Sequence, residues 1–273
     1  MKQLKICTVL IQIFFAFAGI CYSQISGRVT YSTILEAENY QEMDGFLIFD
    51  SNENSVFYSI VKEYPATSSI DSLSVANKES SPAINVGLNF QPPEDSLKYY
   101  VYMNRNSELI KSKRTIFKQG NYEKCIVVEP MDIFDWTLID ESKIIMDYRA
   151  YRAETTFRGR SYTAWYAPDI DINAGPWKFN GLPGLILEVT DSESGVQFLL
   201  SSLEIPYETK EVIQPPSEEL ILTFDQYIEL NDPERIASEF LGLINSKLPE
   251  GSKISSSPSV SFKKNVKGIE RMF

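Results

Sequence analysis

The chain has 273 residues, a formal net charge of −11, three cysteines and no histidine. The missing histidine excludes Ser-His-Asp and Cys-His catalytic arrangements, histidine-zinc sites and haem held by histidine. An acidic chain of this kind is repelled by nucleic acid and by anionic lipid surfaces, so neither is expected as a general partner.

Lys2 and Lys5, the apolar run from Ile6 to Ile20 and the polar residues around Ser23 have the layout of a secretory leader over residues 1–23. The apolar run is too short for a comfortable membrane span, which predicts cleavage near Ser23, export to the periplasm or outer surface, and no transmembrane span in the mature chain. Cys21 raises lipid modification as a rival, against which stands the bulky Ile20 before it. Cleavage removes Cys7 and Cys21 and leaves Cys125 alone, so the mature fold has no intramolecular disulfide.

The remaining chain is long enough to bury a full core. Val29, Thr30, Tyr31, Thr33 and Ile34 predict a first strand over Gly27 to Glu36. Phe46 to Phe49 and Val56 to Ile60 flank Asp50-Ser51-Asn52-Glu53-Asn54, the turn chemistry of a hairpin. Residues near 64–96 carry many serines with Pro65, Pro82, Pro92 and Pro93, and read as a loop or insertion. Further strands are expected at Tyr99 to Met103, Thr115 to Phe117, Lys124 to Glu129, Trp136 to Ile139, Ile144 to Tyr148, Ala153 to Phe157 and Arg160 to Tyr166. Two more follow at Leu185 to Thr190 and Val196 to Leu203. Spacings this short leave no room for crossover helices and predict antiparallel pairing.

The period then changes. Thr223 to Gln226 fits a capping box, and Asp232-Pro233 supplies a cap and a first-turn proline for a second helix. Ile236, Phe240, Leu243 and Ile244 share one face of that helix, which Pro249 and Gly251 end; Lys263, Lys264, Lys267 and Arg271 make a basic, solvated tail. The expected architecture over residues 24–273 is therefore mainly β: a single antiparallel curved sheet or open half-barrel with one or two C-terminal helices packed on it.

Residues 162–189 concentrate prolines, glycines, aromatics and acids between two strands. Asp169 and Asp171 face one side of an extended chain, with Glu188 and Asp191 just beyond, so a carboxylate-based secreted hydrolase is one reading; solvated acids at strand ends are the other. Asp191 to Gly195 lacks the spacing of a calcium loop, and Asn180 to Gly184 lacks the phosphate-loop lysine and leads into a strand. No metal or cofactor is expected. Arg158, Arg160, Tyr162 and Tyr166 are candidates to clamp an anionic group, or to pair with acids across the sheet. Trp165, Trp177 and Phe179 are candidates for a ligand groove, or for the core.

Phe157 to Arg160, Ala164-Trp165-Tyr166, Gly175-Pro176 and Gly181-Leu182-Pro183-Gly184-Leu185-Ile186-Leu187-Glu188 resemble the GLPGLI family of exported proteins from Bacteroidota. The resemblance is close over Trp136 to Asp191 and looser elsewhere. It implies an exported chain without an established biochemical activity. Two departures stand out: Ile170-Asp171 where the family tends to carry Ile-Pro, and Ala150 where many members carry a cysteine. Together these readings predict a binding, carrier or accessory module for an apolar or peptide-like ligand or an envelope partner, with a structural assembly factor as a further alternative. Gly175, Pro176, Gly181, Leu182, Pro183, Gly184, Leu185 and Ile186 are expected to form a rigid crossover between core strands.

Overall fold

The computed structural model describes residues 26–35, 41–50, 53–61, 73–74, 85–86, 97–208 and 213–247. The leader, most of the insertion near 64–96, the helix stop at Pro249 and Gly251, and the basic tail lie outside them. The strands are β1 (Gly27–Leu35), β2 (Gln41–Phe49), β3 (Asn54–Val61), β4 (Leu73–Ser74), β5 (Asn85–Val86), β6 (Leu97–Asn104) and β7 (Leu109–Lys118). They continue as β8 (Asn121–Pro130), β9 (Thr137–Ile145), β10 (Tyr148–Phe157), β11 (Arg160–Ala167), β12 (Leu185–Asp191), β13 (Val196–Glu204) and β14 (Leu220–Thr223). Two helices follow, α1 (Phe224–Leu230) and α2 (Pro233–Lys247).

Twelve strands form one sheet in the order β14, β8, β7, β6, β3, β2, β1, β13, β12, β11, β10, β9; β4 and β5 pair separately. The expected mainly antiparallel sheet is present, with one difference. β14 lies parallel to β8, Leu220 opposite Cys125 and Thr223 opposite Val128. No local signal distinguishes this four-residue strand, because its place is set by the partner it meets.

Alternation builds the sheet's buried face. In β1 Val29, Tyr31, Thr33 and Leu35 are buried while their neighbours are half-buried. At the β2–β3 turn Asp50 Oδ1 accepts from Asn54 N at 3.0 Å, and Asn54 Oδ1 accepts from the Tyr102 hydroxyl at 2.7 Å, tying the hairpin to β6. The expected strand at Ile144 to Tyr148 is instead the end of β9, a turn and the start of β10. Ile145 pairs with Tyr148, and Met146 adopts a φ of 50° between them. A short apolar run has no feature that distinguishes a strand from a tight hairpin turn.

The sheet curls without closing: Glu129 of β8, near one end, pairs with Arg158 between β10 and β11, near the other. Tyr31, Phe57 and Phe198 belong to a core cluster along the middle strands, whereas Ile116, Cys125, Val127 and Leu222 form a smaller one under Phe224, Tyr227 and Leu230 of α1. The capping box forms as expected: Gln226 N donates to Thr223 Oγ1 at 3.2 Å, and Thr223 N to Gln226 Oε1 at 2.9 Å. Asp232 caps α2 through Arg235 N at 2.8 Å. Ile244 is buried, while Arg235 Nη2 donates to the Phe117 carbonyl at 2.6 Å, which seats α2 against the end of β7. Among the described residues no helix is long and apolar enough to cross a membrane.

Candidate functional site

β11 and β12 are adjacent antiparallel strands, yet residues 168–184 connect them where a short turn would suffice. The connection folds back onto the sheet as a plug. Trp177, Lys178, Phe179, Asn180 and Leu182 are buried, and Phe179 sits among Tyr162 at 4.9 Å, Phe134 at 5.1 Å, Trp177 at 5.3 Å and Phe198 at 6.1 Å between ring centroids. These edge and tilted contacts are the arrangements aromatic quadrupoles favour. Backbone bonds hold the path: Leu185 N donates to Ile170 O at 3.1 Å, Ile186 N to Ala174 O at 2.9 Å and Phe179 N to Pro176 O at 3.0 Å. Trp136 Nε1 pins the far side by donating to Asn180 O at 2.8 Å.

Two glycines permit this close approach. A Cβ on Gly184 would lie 2.3 Å from Ala167 O, at a φ of 141°; one on Gly175 would lie 2.7 Å from Phe179 O. Only glycine avoids both contacts. Trp177 departs from local preference in the other direction, with a φ of 53° and an indole N–H without a hydrogen-bond partner among the described residues.

The two arginines are occupied within the protein. Arg160 forms a fully buried ion pair with Asp191, whose Oδ1 accepts from Val196 N at 2.9 Å and so closes the β12–β13 turn. Arg158 Nη2 lies 2.5 Å from Glu129 Oε1, and the buried Lys178 pairs with the other oxygen of that carboxylate. Phe224, the first residue of α1, places its ring centroid 3.1 Å from the Arg158 guanidinium carbon. Reading the chain locally overlooked Glu129 and Lys178. Their partnership spans 49 residues, and each alone looks like a surface charge.

Tyr166 is buried and packs on Tyr151, 6.3 Å between ring centroids, and burial raises its pKa above the ordinary tyrosine value. Trp165 is half-buried on the opposite face, with Lys143 Nζ 4.4 Å from its ring centroid and 2.5 Å from Glu188 Oε2. Asp169 and Asp171 are exposed. Glu188 is engaged with a lysine, and burial lowers the pKa of Arg105 against smaller raising by Glu53 and Asp171. No group of three or more potential metal-ligating side chains occurs among the described residues.

A second locality is absent from the sequence reading. β9 is the last strand of the sheet, and beside it Leu138, Ile144, Met146 and Tyr151 are 56%, 60%, 48% and 38% exposed. Leu138 stands opposite Ala153, a buried residue of the core face, so this apolar rim continues the face that the plug covers farther in. Sequence alternation alone could not find it, since the same residues beside one more strand would be core.

The family model described as "Protein of unknown function (Porph_ging)" matches residues 158–188, which contain β11, the plug and the first part of β12. No curated protein matches the chain by sequence. Among the solved structures that match the chain are these two. "Structure of PNGF-II in P21 space group" is 13% identical with a TM-score of 0.45, covering 78% of this chain and 34% of that one. "Structure of PNGF-II in C2 space group" is 13% identical with a TM-score of 0.47, covering 77% and 33%. The chain spans about a third of the length of the solved structures it matches.

Proposed function

We propose that this is an exported cell-envelope protein of the GLPGLI type that acts as a binding or accessory module, taking an apolar or peptide-like ligand or an envelope partner at the β9 end of its sheet. The observation that carries this reading is the grouping of Leu138, Ile144, Met146 and Tyr151, all exposed, beside the terminal strand. Large apolar side chains gathered on a surface mark interaction sites when they cluster, and carry no such meaning when scattered. The plug supports the same reading from the other side: Trp177, Phe179 and Tyr162 contribute to the core, which leaves Tyr166 beneath Tyr151 and Trp165 on the outer face as the candidates nearest the exposed rim. Export is supported by the leader pattern around Lys2, Lys5 and Ile6 to Ile20.

The test is site-specific photo-cross-linking in envelope fractions from position 144, with position 60, itself 41% exposed on β3, as the control. Mass spectrometry of the purified mature protein is run beside it for bound lipid. The reading expects a discrete adduct from 144 and none from 60, or co-purifying lipid that is lost with Ile144→Ser. Neither adduct nor lipid would sink it.

A further inference from the structure

The edge at β9 combines three features that together specify a partner. First, it is a nine-residue strand at the end of the sheet, with alternate backbone N–H and C=O groups directed away from β10. Second, its register breaks. Ile139 faces Arg152 and Ser142 faces Tyr151, so Asp140 and Glu141 have no counterpart on β10 and bulge at the middle of the edge. Third, its charges are unevenly matched. Lys143 is paired with Glu188, and Arg152 with Glu141 and Glu154. Asp132, Asp135, Asp140 and Asp147 are exposed and have no ion-pair partner among the described residues. Arg149, exposed opposite Ile144 with its Nη1 3.4 Å from Ser142 Oγ, is in no ion pair among the described residues.

We infer that β9 receives an extended, basic peptide segment of another protein, apolar at alternate positions, which adds to the sheet edge. This rests on the binding reading above and deepens it. Backbone pairing along β9 supplies the attachment, while Leu138, Ile144 and Tyr151 receive the apolar side chains on one face. Lysine or arginine side chains of the segment meet Asp140 where the bulge takes it out of the strand's alternation, and Asp135 and Asp147 beyond the two strand ends. A second copy of this chain fits worse. An antiparallel pairing of two β9 edges about their midpoint sets Glu141 of one copy against Glu141 of the other, with Asp140 next to that pair on each strand, and like charges facing each other across strands destabilise the pair. The bulge limits the length of strand that can be added, which disfavours runaway edge-to-edge association.

Fluorescence polarisation with labelled short peptides tests this on the purified mature protein. The probes are an alternating valine–lysine peptide, its valine–glutamate counterpart, and a valine–lysine peptide N-methylated along one edge. Binding of the first alone, weakened about tenfold or more by Asp140→Lys with Asp147→Lys, is the expected result. These positions are exposed, and circular dichroism checks that both variants keep the fold. Equal binding of the lysine and glutamate peptides, or undiminished binding of the N-methylated one, overturns the inference. So does a concentration-dependent dimer in sedimentation that competes with the peptide, which would make a second copy the occupant. Loss of all peptide binding while the cross-link from position 144 or the co-purifying lipid persists would reject the basic segment and leave the binding reading intact; absence of peptide binding, cross-link and lipid together rejects both.

Discussion

Glu129 of β8 and Lys178 of the β11–β12 plug form an ion pair buried on both sides, although β8 and β11 stand near opposite ends of the sheet order. Arg158, at the β10–β11 turn, shares the same carboxylate. The pair fastens the plug to the far side of the curl. Removing one member of a buried pair costs more than the intact pair contributes, because its partner stays desolvated. Glu129→Gln is therefore expected to lower stability by about 3–5 kcal/mol in urea denaturation. A loss under about 1 kcal/mol, the range of exposed pairs, would contradict the buried arrangement.

The glycines of the plug separate two costs. Gly184→Val meets both a backbone oxygen 2.3 Å from the new Cβ and a φ of 141°, so melting temperature and soluble yield should fall sharply. Gly181→Ala meets only its φ of 91°, the nearest atoms being the Trp136 ring at 3.6 Å, and should cost about 1 kcal/mol. Equal losses at the two sites would mean that close packing does not hold the plug down.

The tryptophans provide a contrast of hydrogen bonds. Trp136→Phe deletes the donor to Asn180 O and is expected to cost about 1–3 kcal/mol. Trp177→Phe removes an indole N–H that has no partner among the described residues, so relief of that donor offsets part of the lost packing. Thermal denaturation of both variants should rank Trp136→Phe as the more damaging per ring atom lost; the reverse order would indicate that the Trp177 N–H is satisfied in solution.

Cys125 is buried in the small cluster under α1, and burial is the largest cause lifting its pKa to about 11. The nucleophile is the thiolate, and a raised pKa keeps the neutral thiol dominant until pH approaches that value. Native protein at pH 8 should resist iodoacetamide, and urea should make the same thiol reactive. Rapid native labelling would show that α1 opens readily from β7 and β8.

Local pattern determined a good part of this protein. Strand alternation in β1, the Asp50 turn, the Thr223–Gln226 capping box and the Asp232-Pro233 helix start are interactions among near neighbours, so the residue order carries them. Gly184 and its neighbours were legible as a backbone element for the same reason: glycine and proline act on their own dihedrals. What they build was not legible. The connection between β11 and β12 lies on the sheet, because Trp177 and Phe179 find Phe157, Tyr162 and Phe198 there. Arg160 and Asp191 look like surface charges until the register of β11 with β12 brings them together inside. Only the order of strands decides that Leu138 and Ile144 stand at an edge, since burial belongs to the sheet and not to the strand.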